Sequence, residues 1–89
     1  MSVPLILFNV SIADNKKMDK DFLRKFAKNL KRIRKEKHIK QDDFLGVDGI
    51  SRSTIAMVET AKTDITLSKL KIIADVLKVN PKDLLDFKE

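Results

Sequence analysis

The sequence predicts an all-α fold, five short helices over residues 19–89, preceded by an extended apolar arm over residues 1–18. Three observations carry this. Apolar residues between Asp19 and His38 recur every third or fourth position, residues able to cap a helix stand before each later segment, and alternation of strand type is confined to the first twelve residues. Eighty-nine residues suffice for one domain and are too few for two.

The stretch DKDFLRKFAKNLKRIRKEKH, residues 19–38, places Leu23, Phe26, Leu30 and Ile33 on one side of a helix and basic residues between them. Asp19 or Asp21 can cap its start, and Lys35, Lys37 and His38 suit the negative end of its dipole. A second, short helix is expected from Gln41 through Leu45, with Asp42 and Asp43 in its first turn and Gly46 and Gly49 ending it around Val47-Asp48. Ser51 then caps a third helix that runs to Thr60. Thr66 caps a fourth, whose inward stripe is Leu67, Leu70, Ile73, Ala74 and Leu77. Asn80-Pro81-Lys82-Asp83 starts a fifth, with Asn80 as cap, Pro81 at the first helical position and Asp83 reaching back.

The arm reads differently. Ile6, Phe8, Val10 and Ile12 alternate as a strand would, and no second strand is evident to pair with them. Pairing with a symmetry mate and an irregular covering of the helical core both fit. Pro4, Asn9 and Ser11 interrupt the apolar run, which falls short of the ~20 residues a membrane span needs. A soluble, cytoplasmic protein without a membrane partner is expected.

Composition narrows the chemistry. With no Cys, disulfides, thiolate zinc sites and Cys nucleophiles are excluded, and the lone histidine, His38, has no second imidazole with which to hold a metal. Ser51, Ser53 and Thr54 have no base nearby in a nucleophile arrangement, and the two glycines form no phosphate-cradling loop. No enzymatic activity, catalytic residue, metal or cofactor is expected. The absence of Trp and Tyr leaves no aromatic platform for single-stranded bases. Residues 19–37 hold nine Lys or Arg against Asp19, Asp21 and Glu36, which accounts for the whole formal charge of +6. A cationic helix of this kind favours polyanions. Lys20, Lys28, Lys31 and Lys35 read as solvated charges, some adding general attraction to phosphate.

The third helix, SRSTIAMVE, is the most informative. Ile55 and Val58, with Ile50, fasten one side to the core; the other holds Arg52, Ser53, Ala56 and Met57. A helix entering a DNA major groove needs slim residues, a few polar tips and free amides at its start. Arg52 can grip guanine with two prongs, Ser53 can bond several bases, and Ala56 or Met57 can touch a thymine methyl. Arg52 also fits a phosphate contact, and Met57 a mere cover for the helix.

Gln41-Asp42-Asp43-Phe44-Leu45, Gly49-Ile50-Ser51-Arg52-Ser53-Thr54-Ile55 and Glu59 together resemble the helix-turn-helix of the Cro and phage-repressor (XRE-type) family, whose usual form is close to Q-E-E-L-A, G-V-S-R-S-T-I and I-E. The likeness runs from Phe26 to Leu85 without a gap between the Gln and the Glu. It implies a five-helix lambda-repressor-like domain that binds operator DNA as a two-fold dimer. Carried over residue by residue, Gln41, Ser51, Thr54 and Lys62 contact phosphate, Arg52, Ser53, Ala56 and Met57 face base edges, and Arg34 and Glu59 form a structural ion pair. Arg52-Ser53-Thr54-Ile55, Glu59 and Asp64-Ile65-Thr66-Leu67 also look like the small controller proteins of restriction-modification systems.

Three positions depart from the family pattern. Lys40 stands where a Ser or Thr cap is usual, which weakens the start of helix two by ~1 kcal/mol. Asp48 occupies an apolar position, so either it turns outward while Val47 packs inward, or helix two ends early. Ala61 replaces a glycine and is strained by roughly 1 kcal/mol wherever the left-handed conformation is kept.

Two functions follow from the sequence. The first is a homodimeric, sequence-specific regulator of transcription, a repressor or controller, with double-stranded DNA as partner. The alternative, favoured by the apolar arm, is an antitoxin-like module that sequesters another protein. Ile6, Phe8, Val10, Leu84, Leu85 and Phe87 are the candidates for a dimer interface, being more apolar than the core of one domain needs.

Overall fold

The computed structural model describes residues 18–88. All of the arm before Met18, and with it Ile6, Phe8 and Val10, lies outside the described residues. Four α-helices follow in order: α1 (Lys20–Glu36), α2 (Arg52–Glu59), α3 (Leu67–Leu77) and α4 (Pro81–Leu84). Between α1 and α2 the expected second helix is a single 3-10 turn, Gln41–Phe44. All regular structure among the described residues is helical, so the all-α class stands; of the five segments, four are α-helical.

The caps work as their residue types require. Asp19 Oδ1 accepts from the Phe22 amide at 3.0 Å, Ser51 Oγ from that of Thr54 at 3.1 Å, and Thr66 Oγ1 from that of Lys69 at 3.2 Å. Lys40 has no acceptor to offer, and the 3-10 turn is held instead by Asp43, whose Oδ2 accepts from the Lys40 amide at 2.7 Å. Asp83 does the same for the Asn80 amide at 3.1 Å, while the Asn80 side chain makes no capping bond.

Helix ends show a second pattern. His38, Ala61 and Lys78 all have φ near +58°, at 58°, 57° and 59°. Each follows a helix whose last carbonyls are closed by the next amide: Ile39 N–H to Arg34 at 3.0 Å, Lys62 N–H to Met57 at 2.9 Å, Val79 N–H to Ala74 at 3.0 Å. This is the left-handed stop that glycine normally fills. Ala61 tolerates it because its methyl is buried with Leu23 and Ala27 of α1. Lys78 is exposed and gains no such packing. Lys78→Gly is therefore expected to stabilise the fold by ~0.5–1 kcal/mol, read as a rise of a few degrees in the calorimetric melting temperature.

The core is aliphatic with two buried phenylalanines. Leu30, Ile55, Ile73, Leu77 and Leu84 are fully enclosed around Phe44, and Phe26 packs with them. Phe44 is the one buried residue of the 3-10 turn, which explains why the segment stops there: a four-residue turn with one anchor has nothing to propagate against. Both alternatives for residues 44–50 are realised together. Asp48 is exposed, Val47 is half-buried against the core, and the helical segment ends early. Gly49 has φ +87°, and a Cβ there would stand 2.9 Å from the Ile72 side chain, so the turn into α2 needs glycine on both counts.

Two expectations about apolar residues change. Leu67, placed on the inward stripe of α3, is 81% exposed, because the first residue of that helix stands beyond the edge of the core. Leu84, a candidate for the dimer interface, is fully buried inside its own domain. Asn29 of α1 causes this by donating to the carbonyls of Asp83 at 3.0 Å and Leu84 at 2.9 Å, which docks the end of α4 on α1. Leu85 then remains exposed, and Phe87 is half-buried with its ring centroid 5.2 Å from that of Phe22.

Candidate nucleic-acid interface

Helix α2 is held from one side only. Ile55 and Val58 are buried in the core, and Glu59 is tied to α1 and to the 3-10 turn, so its orientation is fixed at its inner side and at its end. Arg34 of α1 grips Glu59 through two contacts, Nε to Oε2 at 2.5 Å and Nη2 to Oε1 at 3.0 Å. The Gln41 amide donates to the same Oε1 at 3.1 Å. The third donor of Arg34, Nη1, reaches the Ile39 carbonyl at 2.8 Å and fixes the chain between α1 and the 3-10 turn. The side chains of Arg34 and Glu59 are 10% and 2% exposed, so the pair is shielded from water and salt. Among the described residues no buried side-chain nitrogen or oxygen lacks a partner.

The opposite side of α2 is open. The Arg52 side chain is 57% exposed and Met57 is 45% exposed; Ser53 is exposed and Ala56 half-buried between them. Such a surface is low, with a cation near the helix start and a flexible apolar side chain farther along. Ser51 stands at the N-cap, where its Oγ also lies 3.0 Å from Thr54 Oγ1. Because the cap bond goes to the Thr54 amide, the amides of Arg52 and Ser53 remain at the helix start for an incoming acceptor.

The residues that the family resemblance assigns to phosphate fall at two poles of this helix. Ser51 lies at its start as the cap; Gln41 is joined to its last residue, Glu59, and Lys62 lies exposed just past that end. Eight residues of helix separate the poles by about 12 Å. Gln41 has one amide hydrogen committed to Glu59 and one left over.

Sequence reasoning placed Asp42 only as a first-turn carboxylate. In the fold it lies 2.5 Å from Arg52, Oδ1 to Nε, with both side chains more than half exposed. In the sequence, Lys28, Lys31 and Lys35 group with Lys20 as solvated charges; on α1 it is Arg24 that completes their stripe. Arg24, Lys28, Lys31 and Lys35 follow one another at intervals of four, three and four, all exposed and without an acidic partner among the described residues. Its first two members border a shallow hollow with Thr60 and Ala61 at the end of α2, so cationic surface continues from that end onto α1. The helical spacing of the four was the signal for the stripe. Nothing local marked Asp42.

A family model described as helix-turn-helix matches residues 30–84, more than half of the chain. Neither curated proteins nor solved structures gave a significant match.

Proposed function

The chain belongs to the XRE-type helix-turn-helix family of DNA-binding regulators, and on that premise we propose that it is a sequence-specific transcription regulator that binds a two-fold symmetric operator as a homodimer. The observation that carries the reading is the open side of α2, where Met57 and Arg52, the latter beside Asp42, are about half exposed and the side chains between them are short enough for a groove wall to approach. Arg52, Ser53, Ala56 and Met57 face the bases in this reading. Gln41, Ser51, Thr54 and Lys62 clamp the backbone at the two ends of the helix. The stripe of Arg24, Lys28, Lys31 and Lys35 adds attraction that does not depend on sequence, which makes binding steeply sensitive to salt.

The dimer reading rests on the exposed apolar residues Leu67 and Leu85, which flank a hollow of about 240 Å³ lined in part by Phe22 and Phe26. Residues 1–18 are proposed as an arm appended to a single DNA-binding domain, and the likeness of residues 52–67 to restriction-modification controllers makes that the first biological setting to test.

Selection of bound duplexes from a random pool tests the proposal. A two-fold symmetric site with half-sites one helical turn apart, ~34 Å, is the expected product. Arg52→Ala should then weaken binding to the selected site by ~1–3 kcal/mol and affect mixed-sequence DNA much less. Weak binding that selects no sequence and disappears at modest salt would instead favour the protein-sequestering module.

A further inference from the structure

We infer that Asp42 is a specificity-determining positioning residue: its carboxylate pairs with the Arg52 guanidinium on the inner, Nε side, so that the two terminal nitrogens are left together for a guanine edge. The inference rests on the DNA-binding reading above and adds a residue and a mechanism to it.

The geometry supplies the argument. Asp42 Oδ1 stands 2.5 Å from Arg52 Nε as an ion pair, without the alignment of an N–H···O hydrogen bond, and no other contact of the Arg52 guanidinium with an acceptor occurs among the described residues. A guanidinium has three nitrogens in one plane, and a two-pronged contact to the O6 and N7 of guanine uses two of them. A carboxylate beside the inner nitrogen leaves the outer pair free and draws the guanidinium toward the 3-10 turn, which narrows the positions it samples. Without it, a long side chain at the start of a helix samples many rotamers, and binding must order it anew.

Asp42 is itself held in place. The Asp43 carboxylate closes the 3-10 turn on the Lys40 amide, and Gln41 is fastened to Glu59 at the far end of α2, so the residue between them has little freedom. An ion pair as exposed as this one contributes little to folding. Its position instead sets a carboxylate beside a surface that is to meet phosphate, where it opposes general attraction. Both consequences act on discrimination in the same direction: a steadier Arg52 favours the right base, and the added negative charge weakens binding everywhere else.

Asp42→Asn separates the possibilities, because its two effects have opposite signs. The probes are the duplex that the wild-type protein selects from a random pool, the same duplex with the guanine recognised through Arg52 replaced by adenine, and a mixed-sequence duplex. Asp42→Asn is expected to bind the mixed-sequence duplex more tightly than wild type, while its preference for guanine over adenine falls on the order of tenfold. In an Arg52→Ala background the same substitution should leave that preference unchanged.

Tighter binding to all three duplexes by one common factor would overturn the inference, since Asp42 would then be only a repelling charge. A wild-type protein that selects no duplex would overturn it together with the DNA-binding reading. The two failures are distinct, because in the first the wild type still discriminates. Both variants alter exposed side chains, and an unchanged circular dichroism melting curve confirms that folding is not being read.

Discussion

Replacing Glu59 by alanine is expected to lower the melting temperature by more than about 15 °C, the largest effect of any substitution considered for this protein. Glu59 joins three elements at one carboxylate: Arg34 of α1 through two contacts, Gln41 of the 3-10 turn through a third, and α2 through its own backbone. With its side chain 2% exposed, removal strands the Arg34 guanidinium, only 10% exposed, without its counter-charge. Losing one partner of such a pair costs ~3–5 kcal/mol. A domain of this size has only about 5–15 kcal/mol in all.

A loss of DNA binding by Glu59→Ala would then be a consequence of unfolding. The measurement that distinguishes folding from contact is affinity at low temperature, where the variant is still folded and binding should return toward the wild-type value. Glu59→Gln should be less damaging in shape but should still leave Arg34 without a counter-charge. An unchanged melting curve for Glu59→Ala would mean that the pair contributes nothing to holding α2 in place. Because the protein has neither Trp nor Tyr, dichroism or calorimetry is needed rather than intrinsic fluorescence.

Much of this architecture was legible because it is local. Asp19, Ser51 and Thr66 cap through a bond to an amide three residues on, and such a bond depends on nothing outside the segment. The side of α1 that carries Leu23, Phe26, Leu30 and Ile33 follows from spacing alone, and all four are buried. Ala61 could be assessed conditionally, since a helix that must stop there needs the left-handed conformation whichever residue is present. The outward residues of SRSTIAMVE were legible for a related reason: once Ile55 and Val58 are assigned inward, helical geometry places Ser53 and Met57 opposite them.

What failed to read from the sequence depends on how far each element extends or on what it meets. Gln41 to Leu45 has a helical start in its two acids, yet its cap lacks an acceptor and its only buried anchor is Phe44, so it closes as one 3-10 turn. Leu67 continues the spacing of Leu70, Ile73, Ala74 and Leu77, but periodicity does not say where the core ends. Leu84 and Leu85 looked alike as candidates for an interface. Which of the two turns inward is decided by Asn29, more than fifty residues earlier. Asp42 and Arg52 meet only because the turn between the 3-10 segment and α2 brings them together, and neither residue type signals the other.

Asn29 therefore leads to the second large effect. Asn29→Ala is expected to destabilise the protein by ~2–4 kcal/mol, with the damage concentrated at the C-terminal end. The carbonyls of Asp83 and Leu84 are among the last four of α4, which have no partner within the helix. The Asn29 amide donates to both, at 3.0 and 2.9 Å, the Asp83 carbonyl also accepting from the Asp86 amide at 3.4 Å, and Asn29 Oδ1 accepts from Arg32 Nη2 at 2.7 Å. Alanine leaves the Leu84 carbonyl without a donor at a residue that is fully buried, and the chain relieves this by lifting α4 from α1. Amide exchange should then accelerate over residues 81–87 well before α2, and the Phe22–Phe87 contact should loosen with it. Asn29→Asp should be at least as harmful as alanine, because an ionised carboxylate has no hydrogen to give to either carbonyl and would face both. If protection over residues 81–87 stayed at the wild-type level in Asn29→Ala, the docking of α4 would have to come from Leu84 alone. Packing, and not the two hydrogen bonds, would then hold the C-terminal end of the domain to α1.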